Sequence, residues 1–188
     1  MKRVMNPPES IEIDGRSYKI RTNFGVWIEA ESLLTGADAQ GVEILARVLA
    51  LVYEELPPDP IKALKGVLWF RSGGKPFASA DHDRGRNIKA YDLKLDFPYI
   101  WAAFIEQYGI DLTVQTLHWW RFRVLLECLR DDCRFARIVE YRTASIGDIK
   151  DQRVKNFYMR MKKQYRLPCT EEQAESKIAA AFEAALGG

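Results

Sequence analysis

The 188-residue chain is long enough to build one sizeable core and rather short for two. Its 47% apolar and 12% aromatic content lies far from the disordered regime, and a formal net charge of +2 supplies no global field for nucleic acid or an anionic membrane. Apolar runs such as Val48 to Tyr53 are cut by Arg47 and Glu54 well short of the ~20 residues a membrane-spanning helix needs, so no membrane segment is expected.

The start, MKRVMNPPESIEID, holds two basic residues with no apolar stretch after them, so a signal peptide is not expected. Residues 11–22 read as a β-hairpin. Ile11 and Ile13 alternate with polar neighbours, Asp14-Gly15 supplies a two-residue turn, and Tyr18 and Ile20 resume the alternation. Two strands alone are marginal, so the hairpin must lie on a helical body or pair with a partner chain.

Thr22 or Asn23 then caps a helix to about Leu34, with Phe24, Trp27, Ile28 and Leu34 in a stripe and Gly36 just past its end. A second helix is expected over Gly41–Leu56, whose apolar face runs from Val42 through Leu45, Val48, Leu49, Val52 and Tyr53 to Leu56. The PPDP run at 57–60 ends it. Asp59 followed by Pro60 forms an N-cap and first-turn pair for a third helix, roughly Ile61–Phe70.

Residues 71–90 show no helix or strand period and read as a mobile loop. The Asp81-His82-Asp83 triplet inside it lacks the further ligands that a metal ion requires, and a solvated loop is the better reading.

Past Tyr91, Asp96 before Phe97-Pro98 suits an N-cap with proline in the first turn, and Gly109 suits a stop. Ile100, Trp101, Phe104, Ile105 and Tyr108 line that helix. Thr113 or Thr116 is expected to start the next, through Leu117, Trp120, Phe122, Leu125 and Leu129. Asp131 or Asp132 is expected to start another, with Phe135, Ile138, Val139 and Tyr141 on its apolar side. The connectors are short, which favours antiparallel neighbours in a bundle. The fold class that follows is mainly α: a helical, bundle-like single domain over 1–188 with an N-terminal β-hairpin.

Residues 150–188 form a C-terminal helical extension of segregated charge. From Lys150 to Arg166 seven basic residues stand against Asp151 alone, with Val154, Phe157, Tyr158, Met161 and Tyr165 in an apolar stripe. Thr170 with Gln173 has capping-box spacing for a final helix carrying four glutamates against Lys177.

Nucleophile, phosphate-loop and metal motifs are missing. Gly73-Gly74-Lys75 lacks the phosphate-loop frame, and the carboxylates Asp92, Asp96 and Asp111 read as caps and turn residues. Cys128 and Cys133 are spaced for neither a redox pair nor zinc, and with Cys169 they read as reduced thiols. No metal, no cofactor and no enzymatic activity are expected. His118 is the one histidine in an aromatic, ordered setting, where local hydrogen bonds suit it better than proton transfer. The basic helix, with Lys155, Arg160, Lys162 and Lys163 as its anion-facing candidates, is the strongest nucleic-acid cue. A solvated or protein-binding face is favoured for it, because the following segment offsets the charge.

Several strings carry a family likeness: Ile13-Asp14-Gly15 with Ile20-x-Thr22, Tyr91-Asp92, Ile100-Trp101-Ala102-Ala103-Phe104, Tyr108-Gly109-Ile110-Asp111-Leu112, Leu117-His118-Trp119-Trp120-x-Phe122 and Ile138-x-x-Tyr141-Arg142. Over about residues 11–145 the chain resembles the bacteriophage Gp-fifteen family, proteins of long-tailed phages and prophages encoded just before the tape-measure gene. The resemblance implies a tail assembly chaperone in the host cytoplasm, which coats the tape-measure protein and self-associates. Aromatic anchors for that partner are Trp101, Tyr108, Trp119 and Trp120; all four read equally as plain core, and for Trp101 and Trp120 core is the favoured reading. Trp119, adjacent to a core-facing Trp120, is expected to have an exposed side.

Overall fold

The computed structural model describes residues 6–35, 41–74 and 90–167. They form two strands, β1 (Ser10–Ile13) and β2 (Arg16–Lys19), and seven helices: α1 (Phe24–Thr35), α2 (Gly41–Val52), α3 (Pro60–Arg71), α4 (Phe97–Tyr108), α5 (Trp119–Glu127), α6 (Arg134–Thr143) and α7 (Gln152–Gln164). A 3₁₀ turn, Ile146–Asp148, precedes α7. The mainly helical class with an N-terminal hairpin is therefore correct. Gly36, the Asp81-His82-Asp83 triplet, Cys169 and the segment expected as a final helix lie outside the described residues.

These residues cluster into two compact units, one made from residues 6–74 with 116–125 and the other from 90–115 with 126–167. In the first, the hairpin turns through Asp14 (φ 51) and Gly15 (φ 77), the left-handed pair of a type I′ turn. Its register sets Ile11 opposite Tyr18 and Ile13 opposite Arg16, which puts both isoleucines, Tyr18 and Ile20 into the core. The hairpin lies on α3, where Gly66 leaves room for it. A Cβ there would sit 2.6 Å from Ile11 Cγ2 and 2.8 Å from the Tyr53 hydroxyl.

Helix ends follow local chemistry where it is decisive. Asn23 Oδ1 accepts from Gly25 N before α1, and Asp59 Oδ1 accepts from Ile61 N and Lys62 N at 2.9 and 3.0 Å before α3. The second helix stops at Val52 instead of reaching Leu56, and the cause is tertiary. Arg21 N takes the Val52 carbonyl and Lys19 O takes Glu54 N, so the strand captures the backbone. The Arg21 guanidinium also donates to the carbonyls of Ala50, Leu51 and Tyr53. Val42 and Leu56, expected on the apolar face, are exposed, Val42 at 81%.

In the second unit α4 ends at Gly109 in the left-handed conformation (φ 65), as expected. Its neighbour α6 starts at Arg134 and not at Asp131 or Asp132. Cys133 is the cap residue, its Sγ accepting from Ala136 N at 3.4 Å. Ile100, Ala103, Phe104, Phe135 and Ile138 make the core between α4 and α6.

Candidate interaction surfaces

The Leu117-His118-Trp119-Trp120 string was expected to offer an anchor; it is instead a tertiary clasp in the first unit. Residues 22–24 pair with it, Phe24 N donating to Leu117 O and Trp119 N to Thr22 O. That pairing delays α5 to Trp119, later than Thr113 or Thr116. His118 then caps the helix: its Nδ1 accepts from Trp120 N at 3.1 Å, while Nε2 lies 3.1 Å from Pro8 O. This fixes the neutral tautomer with the proton on Nε2. Burial, ahead of the contrary effect of the Pro8 carbonyl, holds the imidazole below its ordinary pKa. Both ring nitrogens are thus engaged.

Trp119 and Trp120 are each only 3% exposed, which corrects the expectation of an exposed side for Trp119. They reach the same place from adjacent positions because both indoles close the carboxyl end of α3. Trp120 Nε1 donates to Phe70 O at 2.8 Å and Trp119 Nε1 to Arg71 O at 3.1 Å. Arg123 adds a second bond to Arg71 O at 2.7 Å. Trp27 stacks on Phe70 and Trp119 with centroids 4.6 and 6.0 Å away. Neither Trp119 nor Trp120 is available to a partner in this conformation.

Trp101 lies on the outer face of α4, whereas Tyr108 is half-buried with its ring edge-on to the buried Phe104 at 5.4 Å. Trp101, for which core was the favoured reading, is instead 36% exposed, because Ile100, Ala103 and Phe104 take the inward positions. Ile105 is exposed beside it, and Pro98, Trp101, Ile105 and Tyr108 follow the spacing of one helical stripe. The indole is held in place: Trp101 Nε1 donates to Asp111 Oδ1 at 2.8 Å. Asp111 also accepts from the backbone N and hydroxyl of Thr113. Those Thr113 bonds, then the indole, lower the Asp111 pKa. The Asp111 turn reading is correct, and so is that of Asp92, which accepts from Lys94 N and Leu95 N. Ile105 was missed as an anchor although its i+4 distance from Trp101 was visible.

Asp96 departs from its expected role. It occupies the N-cap position of α4 but makes no side-chain capping bond. Its carboxylate is buried and paired with Arg142 of α6, Nη1 to Oδ2 at 2.6 Å and Nη2 to Oδ1 at 2.8 Å. Arg142 further donates to Tyr165 O at 2.6 Å and Ala90 O at 3.3 Å, so one guanidinium joins four stretches of the unit.

On α7, Asp151 caps the first turn and no residue is fully buried. Its inner side leans on α6, with Tyr141 ringed by Phe157, Tyr158 and Tyr165 at centroid distances of 5.8 to 6.1 Å. Tyr158 donates to Glu140, and this bond, more than burial, raises its hydroxyl pKa. The four anion-facing candidates separate. Lys162 is spent on the Ala144 carbonyl at 2.9 Å and Lys155 is half-buried, whereas Arg160 and Lys163 are exposed. Arg153, exposed seven residues before Arg160, belongs with them and was missed.

A family model described as Bacteriophage Gp15 protein matches residues 5–167. The chain belongs to that family. No curated protein and no solved structure matches it. In this phage protein most of the strings that carry the likeness perform structural work: a type I′ turn, an indole clasp, and Arg142 pairing with Asp96. Tyr91 and Trp101 are the large aromatic side chains those strings leave exposed, and Ile105 is exposed beside Trp101. Among the described residues no helix is long and apolar enough to cross a membrane, and no group of three or more His, Cys, Asp or Glu could hold a metal ion.

Proposed function

We propose that this phage protein is a tail assembly chaperone that covers apolar helical segments of the tape-measure protein in the host cytoplasm. Its family carries the reading, and the exposed Trp101–Ile105 pair of α4 supports it. An indole held by Asp111 loses little freedom on binding, so it suits an anchor for the apolar side of another helix. Shallow contact on one stripe is individually weak. Several copies along a long helical ligand would hold it together yet release it to later tail components. Self-association of the chain belongs to the same proposal.

The test is co-expression with the tape-measure protein of the same phage, followed by recovery of the complex. The expected outcome is a soluble complex that W101A/I105A weakens by about 2 kcal/mol, roughly thirtyfold. If the tape-measure protein gains no solubility and no complex forms, the reading is wrong.

A further inference from the structure

The outward side of α7 is chemically distinct from the apolar stripe on α4. From Gln152 to Gln164 the helix holds five cations and no carboxylate. Packing on Tyr141 turns Tyr158 and Tyr165 inward, so the solvent side carries Arg153, Asn156, Arg160 and Lys163 alongside the exposed Val154, Phe157 and Met159. Arg160 lies over the Phe157 ring at 5.8 Å, which keeps its guanidinium extended along the surface. Asn156 Oδ1 accepts from Gln152 Nε2, so the amide points N–H donors outward. No acidic side chain among the described residues pairs with Arg153, Arg160 or Lys163.

From these observations we infer that α7 binds the phosphate backbone of double-stranded nucleic acid, without sequence preference, through Arg153, Arg160 and Lys163. Ten residues of helix separate the first cation from the last, about 15 Å. That span matches roughly four base-pair steps at 3.4 Å each along one strand. Cations interleaved with amide donors are the groups that contact phosphate oxygens. Single strands are disfavoured because Tyr158 and Tyr165 are spent on Tyr141 and Arg160 lies over the exposed Phe157 ring. A lipid surface is the rival ligand, because Val154, Phe157 and Met159 are exposed on the same helix, and the comparison with anionic vesicles decides between the two. The inference stands apart from tape-measure binding, which uses α4.

The experiment is fluorescence anisotropy of the full chain with a labelled duplex about two helical turns long. Three phosphate contacts give a slope near −2.7 in log K against log salt, so affinity should fall about fortyfold between about 50 and 200 mM salt. R153Q/R160Q/K163Q, with an unchanged far-UV circular dichroism spectrum, should lose the duplex. R153Q or K163Q alone should each reduce the slope by about 1. W101A/I105A should bind it normally. Absent or salt-insensitive duplex binding, or an unaffected triple variant, overturns the inference. So does tighter binding to oligo-dT, to anionic vesicles or to polyglutamate than to the duplex.

Discussion

Replacing Arg142 by methionine tests what holds the second unit together. Methionine keeps an unbranched apolar stem but leaves the Asp96 carboxylate buried, with Asp92 N at 2.9 Å as its remaining side-chain bond. Removing one partner of a buried pair costs about 3–5 kcal/mol, because the other charge stays desolvated and uncompensated. The carbonyls of Tyr165 and Ala90 lose a donor as well, but both residues are partly buried and water can reach them, so the pair dominates. Against a total stability of about 5–15 kcal/mol for a typical protein, the loss is large. Hydrogen exchange by mass spectrometry, read on peptides covering α4 and α6, gives the cost locally. Where exchange reports the opening equilibrium, protection should drop roughly two-hundredfold to several-thousandfold. R142K should fall between, since an ammonium cannot serve both carboxylate oxygens and Tyr165 O in one plane. The double variant D96L/R142M should be more stable than R142M, because an apolar pair leaves no orphaned charge. Unchanged protection in R142M, or a double variant that simply sums both single losses, would refute this account.

Two further outcomes follow from the first unit. Gly66→Ala places a methyl 2.6 Å from Ile11 Cγ2 and 2.8 Å from the Tyr53 hydroxyl, which itself donates to Ala63 O. Overpacking of this kind should cost about 1–3 kcal/mol, measurable by urea denaturation, despite alanine's better helix propensity. His118 makes stability depend on pH. Its folded pKa lies below the ordinary value of about 6.5, so the unfolded chain takes up the proton first. The contribution is complete above that value and is lost as pH falls through it toward the folded pKa. Denaturation midpoints between about pH 7.5 and 5 should therefore drop for the parent chain and less steeply for H118Q; parallel profiles would contradict the assignment.

The hairpin turn, the Asp59-Pro60 start of α3 and the Gly109 stop were legible because each depends on a few adjacent residues with one dominant conformation. Two of the misplaced boundaries share a different cause. The end of α2 is decided by β2, the start of α5 by residues 22–24, and neither partner is near in sequence. Asp96 shows the same limit at a single side chain. Its position before Phe97-Pro98 marks an N-cap, but a guanidinium 46 residues away claims both oxygens.

Periodicity and cap chemistry alone thus determined a mainly helical chain with a hairpin, and its aromatic strings pointed to a phage family. Which tryptophans face solvent was decided only by tertiary packing. Adjacent residues on a helix point about 100° apart, so Trp119 and Trp120 cannot both be core on one face. They are both buried because the end of α3 offers two neighbouring carbonyls, each accepting one indole. On α4, what stays outside is Trp101 with Ile105.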